Sequence, residues 1–155
     1  MERHLRKKLP NGRFLDVSPV RSRTMGAIRS KNTKSTELVL RMLLVRGKIT
    51  GWRLHPSGLI GNPDLYFPHH GLVVFVDGCF WHGCPHCGHI PKTRTSFWRA
   101  KITRNGERDR RIVRGLRKQG LVVMRIWEHS LANPQNARRV LERIRNTTSG
   151  LEQEK

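Results

Sequence analysis

The sequence predicts an α/β fold, one mixed sheet flanked by helices. Three observations predict it. Leu72-Val73-Val74-Phe75-Val76 is apolar at every position, as a strand covered on both faces must be. Leu121–Trp127, apolar but for Arg125, reads as another buried strand after a long helical stretch. Helical periods at Ser35–Arg46, Thr95–Gln119 and from Asn133 onward are interleaved with the strands, giving helix, three strands, helix, strand, helix.

Residues 1–21 carry many charges with Pro10, Gly12 and Pro19 and no sustained period, so a mobile basic arm is expected. Ser22 to Ser30 reads as a short helix presenting Met25 and Ile28. Ten Lys/Arg and two acids stand between residues 1 and 34, and this segment is expected to lie along phosphates. Ser35 or Thr36 caps the first main helix, with Glu37 in the first turn, where an anion suits the dipole. Its expected buried face is Leu38, Val39, Met42, Leu43 and Val45, and Gly47 stops it. Trp52 and Leu54 alternate with Arg53 and His55, an edge strand. Pro63–Phe67 is a second strand and Pro68-His69-His70-Gly71 a turn.

Thr95 or Ser96 opens the long helix, apolar at Phe97, Trp98, Ile102, Ile112, Val113 and Leu116. Gly106 within it costs about 1 kcal/mol relative to Ala. That points to a close approach or to a helical irregularity. Asn133-Pro134 begins the last helix, with Val140, Leu141 and Ile144 facing inward. Residues 22–146 are expected to form one domain, and 147–155 a disordered tail.

The chain has 31 Lys+Arg against 11 Asp+Glu, a formal charge of +20. Such a body repels itself and calls for a polyanionic partner, nucleic acid being the usual one. Membrane insertion is excluded at this level, since no apolar run approaches the roughly 18 residues of a span. The N-terminus lacks the apolar centre of a secretory signal. An odd cysteine count argues against a disulfide framework, so reduced thiols and a cytoplasmic location are expected. A monomer is expected, because no apolar interface is left over.

Cys79-Phe80-Trp81-His82-Gly83-Cys84-Pro85-His86-Cys87 holds all three cysteines. Thiolates at C-x4-C-x2-C spacing suit zinc, and tetrahedral zinc needs a fourth ligand. His86, His89 and His129 are the candidates. His129 follows the Leu121–Trp127 strand; if that strand runs parallel to Leu72–Val76, both ends meet at one sheet edge. Cys79, Cys84, Cys87 and His129 are therefore the preferred set, a structural site. Asp64, on a strand after Pro63, offers a carboxylate for Mg²⁺, with a main-chain carbonyl of the neighbouring strand. His82, inside the metal loop, can take a proton from water as a neutral imidazole. Asp109 can orient it. Lys101, Asn105 and Asp109 recur at i, i+4 and i+8, so they share one helix face. Glu37 is a candidate outer partner. Phe80 and Trp81 beside two glycines are expected to project and wedge between base pairs, joined by Trp98.

With these residues assembled, the chain resembles the very-short-patch-repair endonucleases, the Vsr family. The matching segments are Met25–Ser30, Pro63-Asp64, Val76–His82, Thr93–Trp98, Asn105–Arg111 and Arg125–His129. The resemblance implies a restriction-endonuclease-like fold that nicks duplex DNA on the 5′ side of the thymine in a T·G mismatch. It implies a Mg²⁺ requirement and a structural zinc. By position it implies that Asp64 and the Val76 carbonyl hold magnesium, that His82 is the general base paired with Asp109, and that Glu37 is the outer acid. Phe80, Trp81 and Trp98 fall where intercalating aromatics stand, Met25 where an N-terminal segment enters the other groove, and Lys101 and Asn105 near the mispair. Some members carry Thr-His where this chain has Val76-Asp77, so Asp77 is open to two roles, further metal ligand or repeller of the phosphate. Cys87 and His86 compete for one zinc position. Repair helper proteins are admitted as partners, and no residue identifies them.

Overall fold

The computed structural model describes residues 37–150. The basic arm, Met25, and the Ser35 or Thr36 cap lie outside the described residues, as does the end of the tail. The elements are α1 (Glu37–Arg46), β1 (Arg53–Leu54), β2 (Leu65–Phe67), β3 (Leu72–Asp77), α2 (Thr95–Lys118), β4 (Val122–Trp127), α3 (Glu128–Ala132) and α4 (Pro134–Gly150). The sheet has the order β1-β2-β3-β4. β1, β2 and β3 pair antiparallel, and β3 and β4 pair parallel from Leu72↔Val122 to Asp77↔Trp127. A parallel neighbour needs a long crossover, and α2 supplies it.

Alternation along β3 explains its continuous apolar run. Leu72 and Val74 point to one face, among Leu40, Leu44, Phe67, Ile126, Val140 and Ile144. Val73 and Phe75 point to the other, against Leu116, with Ile112 and Leu121 beside them. So α1 and α4 cover one face, and α2 covers the other. Burying each such side chain contributes about 1.5–3 kcal/mol.

The sequence misplaces the buried face of α1. Leu40 and Leu44 are fully buried with Glu37, whereas Leu38, Met42 and Val45 are 36, 47 and 65% exposed. Val39 and Leu43 are partly buried. This helix is apolar on several sides, so periodicity could not select the stripe that meets the sheet. Gly47 follows directly on Arg46, as expected, but it is not the residue in the left-handed conformation. Lys48 takes that conformation (φ 53), and the Ile49 N–H returns to the Leu44 carbonyl at 2.9 Å.

β1 is only two residues long, because His55 leaves the extended region (φ 42). Short α3 was not expected. Asn133 caps α4, its Oδ1 accepting from the N–H groups of Gln135 and Asn136 at 2.9 and 3.2 Å. α4 then runs to Gly150, so residues 147–150 are helical rather than tail. The Thr147 and Thr148 hydroxyls donate back to the Arg143 and Arg145 carbonyls. A Cβ at Gly106 would meet nothing nearer than Arg110 Nη1 at 3.6 Å, so no close approach within the described chain requires that glycine. Among the described residues no helix is long and apolar enough to cross a membrane.

Candidate active site

Asp64 enters β2 between two neighbours. Its N–H donates to the Val74 carbonyl, and its carbonyl accepts from the His55 N–H, both at 3.1 Å. Its Oδ2 accepts the Val76 N–H at 2.7 Å. Val76 is thus held directly beside the carboxylate. Burial pushes the Asp64 carboxyl up to about 6; the Val76 N–H opposes this, Glu37 adds to it, His55 opposes it and Asp77 adds to it. Glu37 reaches the same place from the first turn of α1. It is 2% exposed, and its Oε1 lies 3.1 Å from His55 Nε2 and 3.9 Å from Arg41 Nη1.

Beyond the β3 terminus, in the loop that follows Asp77, stands His82. Its Nδ1 lies 2.6 Å from Asp109 Oδ2. A neutral ring in that contact donates from Nδ1, which leaves Nε2 as its acceptor. Burial is the strongest single influence on Asp109 and works against its ionisation, and the His82 hydrogen bond opposes it. The charges of Arg125, His82 and Arg108 add to that bond and hold the carboxyl below the usual range. Asp77 links the two halves: it raises Asp64, and its Oδ1 is 3.7 Å from His82 Nδ1.

Arg125, on β4, is a residue that sequence reasoning missed. Its Nε donates to Asp77 Oδ2 at 2.6 Å and its Nη2 to Asp77 Oδ1 at 2.5 Å. The same Nη2 donates to Asp109 Oδ2 at 3.0 Å. Burial disfavours the guanidinium charge, and the two carboxylates more than restore it. Both Asp77 oxygens are therefore engaged by a bidentate cation. In the chain as described that carboxylate is neither a spare ligand nor an uncompensated negative charge. A lone arginine in an otherwise apolar strand was the available signal, since an unpaired buried charge costs several kcal/mol.

The i, i+4, i+8 stripe of α2 grips the loop. Lys101 Nζ lies 5.1 Å from the Trp81 ring centroid, Asn105 Nδ2 donates to the Trp81 carbonyl at 2.7 Å, and Asp109 holds His82. Gly83 (φ 64) permits the close crossing, because a Cβ there would come 2.6 Å from Ile102 Cγ2. Phe80, Trp81 and Trp98 do not project singly. They are half-buried and pack together, with centroids 5.0 Å apart for Phe80–Trp81, 5.2 Å for Phe80–Trp98 and 6.1 Å for Trp81–Trp98.

Cys79, Cys84, Cys87 and His129 converge, with one ligand atom from each and all four atoms within 4.8 Å of one another. His129 Nδ1 is 3.3, 3.5 and 3.4 Å from the three sulfurs in chain order, and Cys87 and Cys84 are 3.6 Å apart. Tetrahedral zinc sets edges of about 3.8 Å between sulfurs and about 3.5 Å between sulfur and nitrogen. The donor set therefore fits that ion. His86 stays outside the set, its ring 5.9 Å from that of His129. The cluster ties the loop after β3 to α3 after β4, as the parallel pairing requires.

A family profile described as DNA mismatch endonuclease Vsr matches residues 16–89. The chain is similar to the type II nicking enzyme V.NmeAIP of Neisseria meningitidis, 40% identical over 126 residues that span 80% of this chain and 88% of the relative. The type II nicking enzyme V.XorIIP of Xanthomonas oryzae pv. oryzae is 41% identical over 120 residues, 76% of this chain and 86% of the relative. The DNA mismatch endonuclease Vsr of Escherichia coli K12 is 37% identical over 113 residues, 72% of this chain and 70% of the relative. Likeness at this level and over this length settles the kinship: the chain belongs to the Vsr family of DNA mismatch endonucleases.

Proposed function

We propose that the protein nicks duplex DNA on the 5′ side of the thymine in a T·G mismatch, with Mg²⁺ as cofactor and a structural zinc. One observation carries the reading: the His82–Asp109 pair at 2.6 Å stands at the end of β3, the strand whose Val76 N–H holds Asp64. Asp64, with the Val76 carbonyl, would hold magnesium, with Glu37 as outer acid. Crowded carboxylates, one pushed up to about 6 by burial, are the donor chemistry a hard dication relieves. When bound, the ion stabilises negative charge on the phosphate and the leaving oxygen.

The chain's own residues do the rest. His82 Nε2 takes the proton of a water that attacks phosphorus, and Asp109 stabilises the imidazolium that forms. The P–O3′ bond breaks, leaving a 5′-phosphate and a 3′-hydroxyl. Arg125 neutralises Asp77 and leans on Asp109, so a phosphate can approach a site rich in carboxylates. The aromatic cluster with Lys101 and Asn105 beside it is proposed to read the mispair. Cys79, Cys84, Cys87 and His129 hold the zinc.

Labelled T·G and matched duplexes, each incubated with Mg²⁺ and then with EDTA, test this. One strand of the T·G duplex is expected to be cut with Mg²⁺, and nothing with EDTA. Binding without cleavage would leave a nucleic-acid-binding module; equal cutting of both duplexes would leave a general nuclease.

Two further outcomes are expected. Trp81→Ala lowers the preference for T·G over matched duplex by about tenfold, since base–aromatic stacking is worth about 1–3 kcal/mol per base. Plain duplex binding, read by fluorescence anisotropy, falls much less. Second, magnesium must displace the Asp64 proton below pH 6. Its affinity in calorimetry is expected to fall about tenfold per pH unit there and to level off above pH 7. Asp64→Asn should show weak binding with no such slope.

A further inference from the structure

We propose that His55 is a third protein donor to the active-site cation, beside Asp64 and the Val76 carbonyl, which raises the affinity of the site for Mn²⁺ relative to Mg²⁺ above that of an all-oxygen site. This rests on the reading of Asp64 as a cation ligand. Glu37, His55 and Asp64 each present one ligand atom, and the three atoms lie within 4.8 Å of one another. They come from α1, the end of β1 and the start of β2, so three elements converge on one point.

His55 is the unexplained member. Its Nε2 is sealed from solvent and makes no hydrogen bond among the described residues, though Glu37 Oε1 is only 3.1 Å away. A buried imidazole nitrogen without a hydrogen bond is costly unless something else takes its lone pair. Its backbone is also held in the left-handed region (φ 42), a conformation that a non-glycine residue adopts at a cost. The His55 N–H is meanwhile tied to the Asp64 carbonyl at 3.1 Å. The His55 backbone is thus held beside the residue read as the cation ligand, and its ring atom lies within 4.8 Å of that carboxylate.

The donor set decides the metal. Magnesium takes oxygen ligands and keeps several waters, whereas imidazole suits later divalent ions and the affinity order rises from Mn²⁺ onward. An imidazole added to the Asp64 carboxylate and the Val76 carbonyl, with Glu37 behind them, forms a mixed site that favours Mn²⁺ more than an all-oxygen site would.

The test uses the full zinc-loaded chain without DNA, titrated with Mn²⁺ alone and with Mg²⁺ alone. Pulsed electron paramagnetic resonance of bound Mn²⁺ is expected to show imidazole ¹⁴N coupling. The coupling should vanish in His55→Gln and persist in His82→Ala. His55→Gln should weaken Mn²⁺ by at least about tenfold and change Mg²⁺ by less than threefold. No nitrogen coupling in the unaltered chain would overturn the proposal without any variant needing to fold. So would equal losses for both ions in a His55→Gln protein with an unchanged circular dichroism spectrum. Nicking is scored separately: coupling without mismatch cleavage would refute the proposed function and leave the His55 assignment standing.

Discussion

His82→Ala is expected to cut T·G nicking by about 10²–10⁴-fold, the usual contribution of a positioned general base. Duplex binding should stay within a few-fold of the unaltered protein, because the basic surface and the aromatic cluster are untouched. The size follows from the geometry. The Asp109 contact at 2.6 Å fixes the tautomer and leaves Nε2 as the only ring atom able to accept a proton. Asp109→Asn should lose much of the same activity with the imidazole still present. Its amide cannot stabilise an imidazolium, and it can pin the ring in the wrong tautomer. Asp64→Ala should bind DNA and barely cut it. Single-turnover nicking with anisotropy on the same preparations reads all three. Near-normal cutting by His82→Ala would remove the proton-transfer assignment; near-normal cutting by Asp64→Ala would remove the cation assignment.

What was legible in the sequence divides along physical lines. β3 could be read because a strand buried on both faces must be apolar throughout, β4 because its residues are apolar but for Arg125, and parallel pairing then brought His129 to the cysteine loop. The Lys101, Asn105 and Asp109 stripe was legible because helical spacing alone puts those side chains on one face. The buried face of α1 was not. Leu38 and Leu40 are equally apolar, and only the sheet decides that Leu40 goes inside. Arg125 was missed because its meaning lies in Asp77, a partner 48 residues away that pairing alone reveals. His55 was missed because alternation read it as an outward edge residue. Its left-handed backbone turns the ring toward Glu37, and nothing in the residue type forecasts that turn.

Cys84→Ser is expected to release the zinc and unfold the loop, and with it most of the chain. Structural zinc supplies about 10–16 kcal/mol of apparent binding free energy, as much as the roughly 5–15 kcal/mol that separates folded from unfolded states in whole domains. Cys84 is buried at 3% exposure, and its sulfur faces both Cys87 and His129, so no water can replace it cheaply. The loss propagates because the cluster fastens the β3 loop to α3, and that loop carries both His82 and the aromatics. His129→Ala should do the same from the other side, whereas His86→Ala should keep one zinc per chain and melt normally. Elemental analysis of purified protein, with a thermal melt, distinguishes these outcomes; soluble, active Cys84→Ser lacking zinc would overturn the structural role. The same logic separates the two metals in a chelation experiment. If EDTA arrests nicking and Mg²⁺ alone restores it, the arrest came from the weakly held ion at Asp64. If activity returns only after zinc is supplied and the protein refolded, the thiolate cluster was emptied, and the catalytic residues had lost their support rather than their cofactor.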